Sequence, residues 1–152
     1  MSAAIQARAG KILVIAEDEA LVAISLRDEL EEADYCVLDL TDHSNMAVQT
    51  VQKCRTDLAL VNIQLGGRDD GIELAERLKD MNIPVLFISG QVSRAKSAQT
   101  VAIGSMPKPY SPADMVKAVD YLLALLRGDD TLTCPEGLEV FCAGPAELPS
   151  PA

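Results

Sequence analysis

Several residue types that carry common functions are scarce in this chain. It has no Trp, two Phe and three Tyr, so its core must be mainly aliphatic. Lys and Arg number 13 against 23 Asp and Glu, which gives a net charge of −10. That charge argues against nucleic-acid binding, because neutralising phosphates needs clustered cations. The one histidine, His43, stands near a predicted helix start, where we expect a solvated or capping residue and not a catalytic base.

Paired cysteines and long apolar runs are also missing. The four cysteines have no C-x-x-C spacing, which argues against a zinc site or a disulfide framework. Cys36 and Cys54 stand among apolar residues and are predicted to be buried, whereas Cys134 and Cys142 are predicted to be exposed. No run approaches the roughly 20 apolar residues of a membrane span, and the first residues lack the apolar core of a secretory signal. We therefore expect a cytoplasmic protein without membrane contacts.

Short apolar runs alternate with amphipathic stretches along the chain. Each run is long enough for one strand, and each amphipathic stretch places apolar residues at helical spacing. Strand alternating with helix predicts a five-stranded parallel sheet covered on both faces, which is a three-layer doubly wound α/β fold with right-handed crossovers. The predicted strands are Ile12–Ile15, Tyr35–Leu40, Leu58–Val61, Val85–Ile88 and Ala102–Met106.

Capping residues indicate where the helices begin and end. Short polar side chains accept hydrogen bonds from the free N–H groups of a first turn, and glycine commonly follows a last turn. The loop 66–70 has the composition of a turn. The predicted N-caps are Asp18, Thr41 or Asp42, Asp70 and Ser111, and Gly128 is predicted to end the last helix.

Composition divides the chain into three segments. Residues 1–10 form a lead, residues 11–127 hold the five strand–helix units, and residues 128–152 contain half of the eight prolines. We expect this tail to be partly disordered, with residues 138–141 as a candidate stray strand within it. It is too short to form an output domain.

Polar residues stand where the predicted strands end. Glu17 and Asp18 follow the first strand, Asn62 the third, Ser89 the fourth and Lys108 the fifth. Because the carboxyl ends of parallel strands meet at one edge, we expect these side chains to gather there. Two carboxylates beside an amide oxygen suit Mg²⁺, and a lysine with a hydroxyl suits a phosphoryl group. Singly, each residue has a simpler explanation as a cap, a turn or a surface charge; their convergence favours a site.

Residues 11–127, with these motifs, resemble the receiver domain of bacterial response regulators. The resemblance implies a flavodoxin-like fold with strand order 2-1-3-4-5 and a cis peptide bond between Lys108 and Pro109. The motifs that match, in family order and at family spacing, are Ile-Ala-Glu17-Asp18-Glu, Val61-x-Ile-x-Leu, Phe87-Ile-Ser89-Gly and Lys108-Pro109.

The resemblance also implies a site chemistry. In this family an aspartate receives a phosphoryl group from a histidine kinase or a phosphotransfer protein. Mg²⁺ is held by the acidic pair, here Glu17 and Asp18, by the acceptor residue, here Asn62, and by a backbone carbonyl, here that of Gln64. Ser89 and Lys108 are then the phosphoryl-contacting residues.

The acceptor position is where this chain departs from the family. An amide is a poor nucleophile and cannot form an acyl phosphate, so we expect no phosphorylation at Asn62 and only weak Mg²⁺ binding. Asn62 is either natural, in a degenerate receiver, or introduced into a normal Asp-phosphorylated one, and the sequence leaves both open. A second departure is Ser105, where the family often has an aromatic residue that reports phosphorylation.

The last predicted helix is apolar over more than one stripe. Such a helix is buried on two sides or binds a partner. We expect the core to take one face and a dimer partner or the tail to take the rest. The family commonly dimerises through its fourth helix, fifth strand and fifth helix, so a homodimer through the last helix is predicted. The residues of this face are Met115, Val119, Leu122, Leu123 and Leu126.

Three function classes compete on this fold. A Mg²⁺-dependent phosphotransferase or phosphatase would need Asp-x-Asp after the first strand, where this chain has Glu17-Asp18-Glu19. A nucleotide or flavin binder would need a glycine-rich phosphate loop there, and the acidic pair would repel phosphate instead. The leading prediction is a stand-alone receiver, not an enzyme, that works in a phosphorelay through protein–protein contacts. A phosphate-independent adaptor is the alternative.

Overall fold

Strands and helices alternate along the chain. The computed structural model describes residues 8, 10–41, 43–65, 70–90 and 92–141, with the backbone alone for residues 39–41, 92, 93 and 96. The predicted cap Asp42, the loop residues 66–69 and residues 142–152, with Cys142, lie outside the described residues. The strands are β1 Ile12–Ala16, β2 Cys36–Thr41, β3 Leu58–Asn62, β4 Val85–Ser89, β5 Gly104–Pro107 and β6 Glu139–Val140. The helices are α1 Ala20–Glu32, α2 Ser44–Lys53, α3 Gly71–Asp80, α4 Val92–Ser97 and α5 Pro112–Leu126.

The sheet has one strand more than the sequence predicted. Five parallel strands run in the order β2-β1-β3-β4-β5, so the doubly wound α/β fold and the strand order are confirmed. β6 adds an antiparallel strand at the outer edge of β5, so the complete sheet has six strands, five of them parallel as predicted. Val140 pairs with Gly104 and Glu139 with Ser105. The predicted stray strand of the tail thus completes the sheet.

Each face of the sheet carries its own apolar layer. Along β1, Leu13 and Ile15 belong to a cluster with residues of α1 and α5. Val14 and Ala16 belong to a second cluster with residues of α2 and α3. Successive side chains of a strand point to opposite faces, so a strand that is buried on both sides must be apolar throughout. The first polar residue after such a run is therefore at the edge of the sheet.

Two predicted N-caps and one predicted helix end are confirmed. The Asp70 carboxylate accepts a hydrogen bond from the backbone N–H of Ile72 at 2.8 Å. The Ser111 hydroxyl oxygen accepts one from the N–H of Asp114 at 3.1 Å, at the start of α5. Gly128 follows the end of α5 with φ +83°, a left-handed conformation that glycine adopts without steric cost. These residues fix the ends of the two helices that flank the site.

The other two predicted caps are wrong. Glu19, not Asp18, is the N-cap of α1, and it forms no side-chain capping bond. The Asp18 carboxylate instead accepts a hydrogen bond from Asn62. Thr41 is the last residue of β2, and His43 is the N-cap of α2. The Asp18 side chain binds Asn62, a residue distant in the sequence, instead of capping α1, and the local sequence does not reveal this contact.

The apolar face of α5 is covered within one chain. Met115, Val119 and Leu122 have 0% exposure, so their assignment to a dimer surface is wrong. Leu123 is also buried, and Leu126 is partly buried against the same cluster. Leu138, which precedes β6, belongs to that cluster too, so the C-terminal segment contributes to the same apolar layer as α5.

Contacts cross both predicted segment boundaries. The guanidinium of Arg8 pairs with Asp120 of α5 at 2.6 Å, and β6 joins the sheet from the tail. The prediction of buried thiols is wrong for Cys36 and Cys54, which are both exposed, whereas Cys134 is exposed as predicted. Within the described ranges, none of the helices combines the length and the apolar content that crossing a bilayer requires.

Candidate functional site

The predicted site residues meet at one edge of the sheet. Glu17 and Asp18 follow the last residue of β1, and the neighbouring strand β3 ends at Asn62. Ser89 ends β4, which lies on the other side of β3. Lys108 follows β5, and its backbone N–H donates to the Ser89 carbonyl at 2.9 Å. The strand register alone therefore brings all five residues to one place.

The Asn62 side chain holds the acidic pair. Its amide nitrogen Nδ2 lies 2.8 Å from Glu17 Oε1 and 3.1 Å from Asp18 Oδ1, and it donates one hydrogen to each. Its oxygen Oδ1 accepts from the backbone N–H of Gln64 at 3.1 Å. The opposite orientation would face the amide oxygen with two carboxylates and its NH₂ group with an N–H donor, so the hydrogen-bond network fixes the amide.

Lys108 lies on the other side of the buried carboxylate. Its Nζ is 3.5 Å from Glu17 Oε2 and 3.6 Å from Glu19 Oε1. The Glu17 side chain has 0% exposure, whereas that of Lys108 is 26% exposed. Among the residues that the structure describes, Glu17 Oε2 has no hydrogen-bond partner, so the ammonium at 3.5 Å is its main compensation. Glu17 therefore links Lys108 to Asn62.

Burial sets the ionisation of two groups beside this contact. The pKa of Glu17 is raised, first by burial and next by the neighbouring Asp18 carboxyl group. The N–H of Glu19, the Asn62 amide and the charge of Lys108 act in the opposite direction. The pKa of Tyr110 is raised to about 12 by burial, with smaller contributions from the charges of Glu17 and Glu19. The surroundings of Glu17 and Tyr110 are thus negatively charged and partly shielded from water.

The carboxylates of Glu17, Asp18 and Glu19 form a group that could hold a metal ion. The Asn62 amide, however, is not oriented to bind an ion placed between Glu17 and Asp18. One carboxylate oxygen each from Glu17, Asp18 and Glu19 lies within 4.8 Å of the others. Mg²⁺ takes oxygen ligands. Asn62 presents N–H groups to the acidic pair, and its oxygen is committed to Gln64. The hydrogen bonds of Asn62 therefore argue against its prediction as a metal ligand. Metal ligation by Glu17, Asp18 and the Gln64 carbonyl stays a prediction.

Gly71, which sequence reasoning missed, lets α3 approach the end of β3. Its N–H donates to the Ile63 carbonyl at 2.7 Å. A Cβ at this position would lie 2.1 Å from the Asn62 carbonyl oxygen and 2.7 Å from Ile63 Cα. The only signal in the sequence was a glycine placed directly after the capping residue Asp70, and that pattern is common in turns.

Arg94 and Glu19 were also missed. The Arg94 guanidinium pairs with the Asp70 carboxylate at 2.8 Å and so joins α4 to the loop that follows β3. Glu19 is the second carboxylate near Lys108. Arg94 stands in a segment without a distinctive pattern, whereas Glu19 is the last residue of the Ile-Ala-Glu17-Asp18-Glu motif, in which only the first two acids were assigned a role. Ser105, the second departure from the family, is buried and pairs with Glu139 of β6, so the C-terminal segment lies beside the position where an aromatic was expected.

A pocket of about 580 Å³ opens beside the site. Its walls come from the start of α1 and from the loop between β5 and α5, including Lys108 and Tyr110. Leu21 at its margin is 84% exposed, and Ile24 on the same helix is 40% exposed. The Tyr110 hydroxyl is buried without a hydrogen-bond partner among the described residues. The Lys108–Pro109 peptide bond is cis, as the resemblance implied.

Two of the known proteins with similar sequences carry the names of regulators. PdtaR of Mycobacterium tuberculosis, a transcriptional regulatory protein, is 27% identical over 121 residues, which are 76% of this chain and 58% of PdtaR. The aerobic respiration control protein ArcA of Escherichia coli is 26% identical over 116 residues, which are 74% of this chain and 48% of ArcA. The chain thus spans about half the length of the curated relatives it matches.

Solved structures with the same fold are receiver domains. The signal receiver domain of a modulated diguanylate cyclase from Desulfovibrio desulfuricans is 33% identical with a TM-score of 0.65, over 76% of this chain and 94% of that one. The receiver domain of NtrX from Brucella abortus has a TM-score of 0.68 over 74% of this chain and 98% of that one, and at 24% identity it supports the fold alone.

The family assignment follows from the sequence match and the geometry together. The family model of the response regulator receiver domain matches residues 13–120, which span β1 to most of α5. The acidic pair, the polar end of β3, the hydroxyl after β4 and the lysine after β5 occupy one edge of the sheet in family order. The chain therefore belongs to the response regulator receiver domain family.

Proposed function

We propose that this chain is a receiver that acts in phosphorelay signalling through protein–protein contacts and that is not phosphorylated at residue 62. The observation that carries the proposal is the Asn62 amide at the acceptor position, hydrogen-bonded to both members of the acidic pair. A carboxamide cannot become an acyl phosphate, and this one is committed to structural contacts. The chain is thus a regulator and not an enzyme, and we place it in the cytoplasm.

Two origins of Asn62 are compatible with this proposal. In one, the chain is a natural adaptor that its partners recognise without phosphate. In the other, a normal receiver carries an engineered Asp-to-Asn change. Ser89 and Lys108 keep their expected places at the end of β4 and directly after β5, so among the predicted phosphoryl- and metal-site residues only the acceptor differs from the family pattern. A Mg²⁺-dependent phosphotransferase is disfavoured because residue 62 offers no nucleophile.

Reversion of the acceptor tests the proposal. The Asn62→Asp variant is incubated with Mg²⁺ and a small acyl-phosphate donor, and intact mass is measured for it and for the unchanged chain. We expect a phosphoryl adduct only in the variant, and its loss on mild base treatment would identify an acyl phosphate. Asn45→Asp is the matched control, because Asn45 is exposed on α2 and the charge change is the same. An adduct on the unchanged chain would contradict the proposal, and no adduct on either chain would favour the phosphate-independent adaptor.

We place the contact with a histidine kinase or phosphotransfer protein at α1 and the loop between β5 and α5. Leu21 and Ile24 are large apolar side chains exposed on α1, and Leu21 lies at the margin of the pocket that contains Lys108. Burying exposed aliphatic surface is favourable by about 25 cal/mol per Å², so these side chains would stabilise a complex. The face of α5 is the weaker candidate, because Met115 and Val119 are already buried.

Surface substitutions test this location. The ¹⁵N-labelled chain is titrated with a purified histidine-containing phosphotransfer protein, and amide shifts are followed. We expect shifts in α1 and around Tyr110, and Leu21→Lys should weaken binding at least about tenfold, the effect of losing one central apolar contact. Met46→Lys is the matched control, since Met46 is exposed on α2. Shifts centred on α5, or an equal loss from both substitutions, would place the contact elsewhere.

A further inference from the structure

We propose that the Asn62 side chain does in this protein what a divalent cation does between two carboxylates, so that the acidic pair is held in place without metal. The inference concerns the same site as the proposed function. It rests on the proposed function in one respect, the assignment of Asn62 to the acceptor position. It stands on the hydrogen-bond geometry around Asn62 and does not depend on which partner reads the chain.

The amide satisfies both carboxylates at once. Each of the two hydrogens on Nδ2 goes to a different acid, Glu17 at 2.8 Å and Asp18 at 3.1 Å. Hydrogen bonds to charged acceptors are roughly twice as strong as neutral ones. The amide oxygen points away from the acidic pair and accepts from the Gln64 N–H at 3.1 Å, so both amide hydrogens and one of the two lone pairs of the oxygen are engaged.

Charge compensation at Glu17 is also built in. The Glu17 side chain is buried at 0% exposure, and Lys108 Nζ lies 3.5 Å from its second oxygen. The amide therefore compensates one oxygen of this carboxylate and the ammonium the other. Coordination by Asn62 of a cation between Glu17 and Asp18 would require the amide to turn over, with the loss of three hydrogen bonds.

A carboxylate at residue 62 would reverse this balance. Asp has no hydrogen to donate, so Asn62→Asp would place carboxylate oxygens about 3 Å from those of Glu17 and Asp18. Like charges at that distance repel, and a cation between them relieves the repulsion. The structure thus assigns metal dependence to the aspartate form and metal independence to the asparagine form of the same site.

Thermal unfolding with and without metal tests the inference. Melting is followed by far-UV circular dichroism in chelator and in about 10 mM MgCl₂, without phosphodonor or partner. We expect the unchanged chain to shift by less than about 1 °C. Asn62→Asp should melt lower in chelator and gain about 5 °C or more from Mg²⁺. Asn45→Asp, with the same charge change on the exposed surface of α2, should behave like the unchanged chain.

A second variant keeps the test decisive if Asn62→Asp does not fold in chelator. Asn62→Ala removes the bridging amide and adds no charge, so it should also melt lower and recover part of the loss with Mg²⁺. The inference is overturned if the unchanged chain gains as much from Mg²⁺ as Asn62→Asp does, or if both variants melt in chelator at the temperature of the unchanged chain. Because no phosphoryl transfer is measured, a failed adduct assay and a failed metal response are separate outcomes.

Discussion

Substitution of Gly71 by alanine should distort the site from the backbone side. The added Cβ would lie 2.1 Å from the Asn62 carbonyl oxygen, 2.7 Å from Ile63 Cα and 2.8 Å from the Ile63 oxygen. Ordinary contacts begin at about 3.4 Å, so the first turn of α3 must move back by about 1 Å. All three neighbours are backbone atoms, which cannot rotate away as a flexible side chain would.

The cost can be estimated from the contacts that this movement breaks. The hydrogen bond from the Gly71 N–H to the Ile63 carbonyl is 2.7 Å long, and the neighbouring Asp70 cap is 2.8 Å long. Each contributes about 1 kcal/mol to stability, and steric strain adds about 1 kcal/mol or more. The better helix propensity of alanine offsets up to about 1 kcal/mol. We expect a net loss of about 2 kcal/mol in the free energy of unfolding.

Urea denaturation followed by far-UV circular dichroism measures this loss, and the absence of Trp makes fluorescence unsuitable. Gly90→Ala is the matched control, because a Cβ at Gly90 meets nothing within 4 Å. That variant should change stability by less than about 0.5 kcal/mol. If Gly71→Ala is as stable as Gly90→Ala, the close approach of α3 to β3 is not the constraint described above.

Three further substitutions or measurements probe other parts of the structure. Lys108→Met keeps the aliphatic stem but leaves the buried Glu17 carboxylate without its ammonium partner. It should lower the free energy of unfolding by about 1–3 kcal/mol. The control Lys117→Met, at an exposed lysine, should change the free energy of unfolding by less than about 0.5 kcal/mol in the same urea assay. Gly104→Ala would place a Cβ 2.9 Å from the Glu139 carbonyl oxygen of β6 and should weaken the pairing of β6 with β5. Limited proteolysis should therefore cut residues 129–141 faster than in the unchanged chain. An unchanged cleavage rate would mean that β6 tolerates the contact. Cys134 is exposed as a residue, but partial burial of its sulfur beside the Leu138 carbonyl raises the pKa of the thiol and so lowers its thiolate fraction at about pH 8. Cys134 should therefore react with a thiol reagent more slowly in the folded than in the urea-unfolded chain, and equal rates would contradict this.

The elements that local sequence determines were predictable. A strand buried on both faces must be apolar throughout, so β1, β3 and β4 could be located from their apolar runs. Asp70 and Ser111 were predicted correctly as caps, because their partners are two or three residues away in the chain. The position of the site followed from the same strand ends, since parallel strands deliver their last residues to one edge.

The features that sequence reasoning missed depend on contacts between distant residues. Asp18 has the composition of a cap, but its carboxylate binds the Asn62 amide, 44 positions further along the chain. Cys36 lies among apolar residues and is nevertheless exposed at the start of β2, which is an edge strand of the sheet. The pairing of β6 with β5 joins segments that share no local pattern, so only the folded chain reveals it.

β6 also protects the chain against unwanted self-association. The outer edge of β5 would otherwise present unpaired N–H and C=O groups, which form a template for strands of other molecules. β6 pairs with Gly104 and Ser105, and the Phe141 N–H donates to the Ile103 carbonyl at 3.0 Å, so a three-residue stretch of this edge is covered. A fragment cut after residue 127 keeps every parallel strand but exposes that edge, so it will be more prone to aggregation than the longer chain.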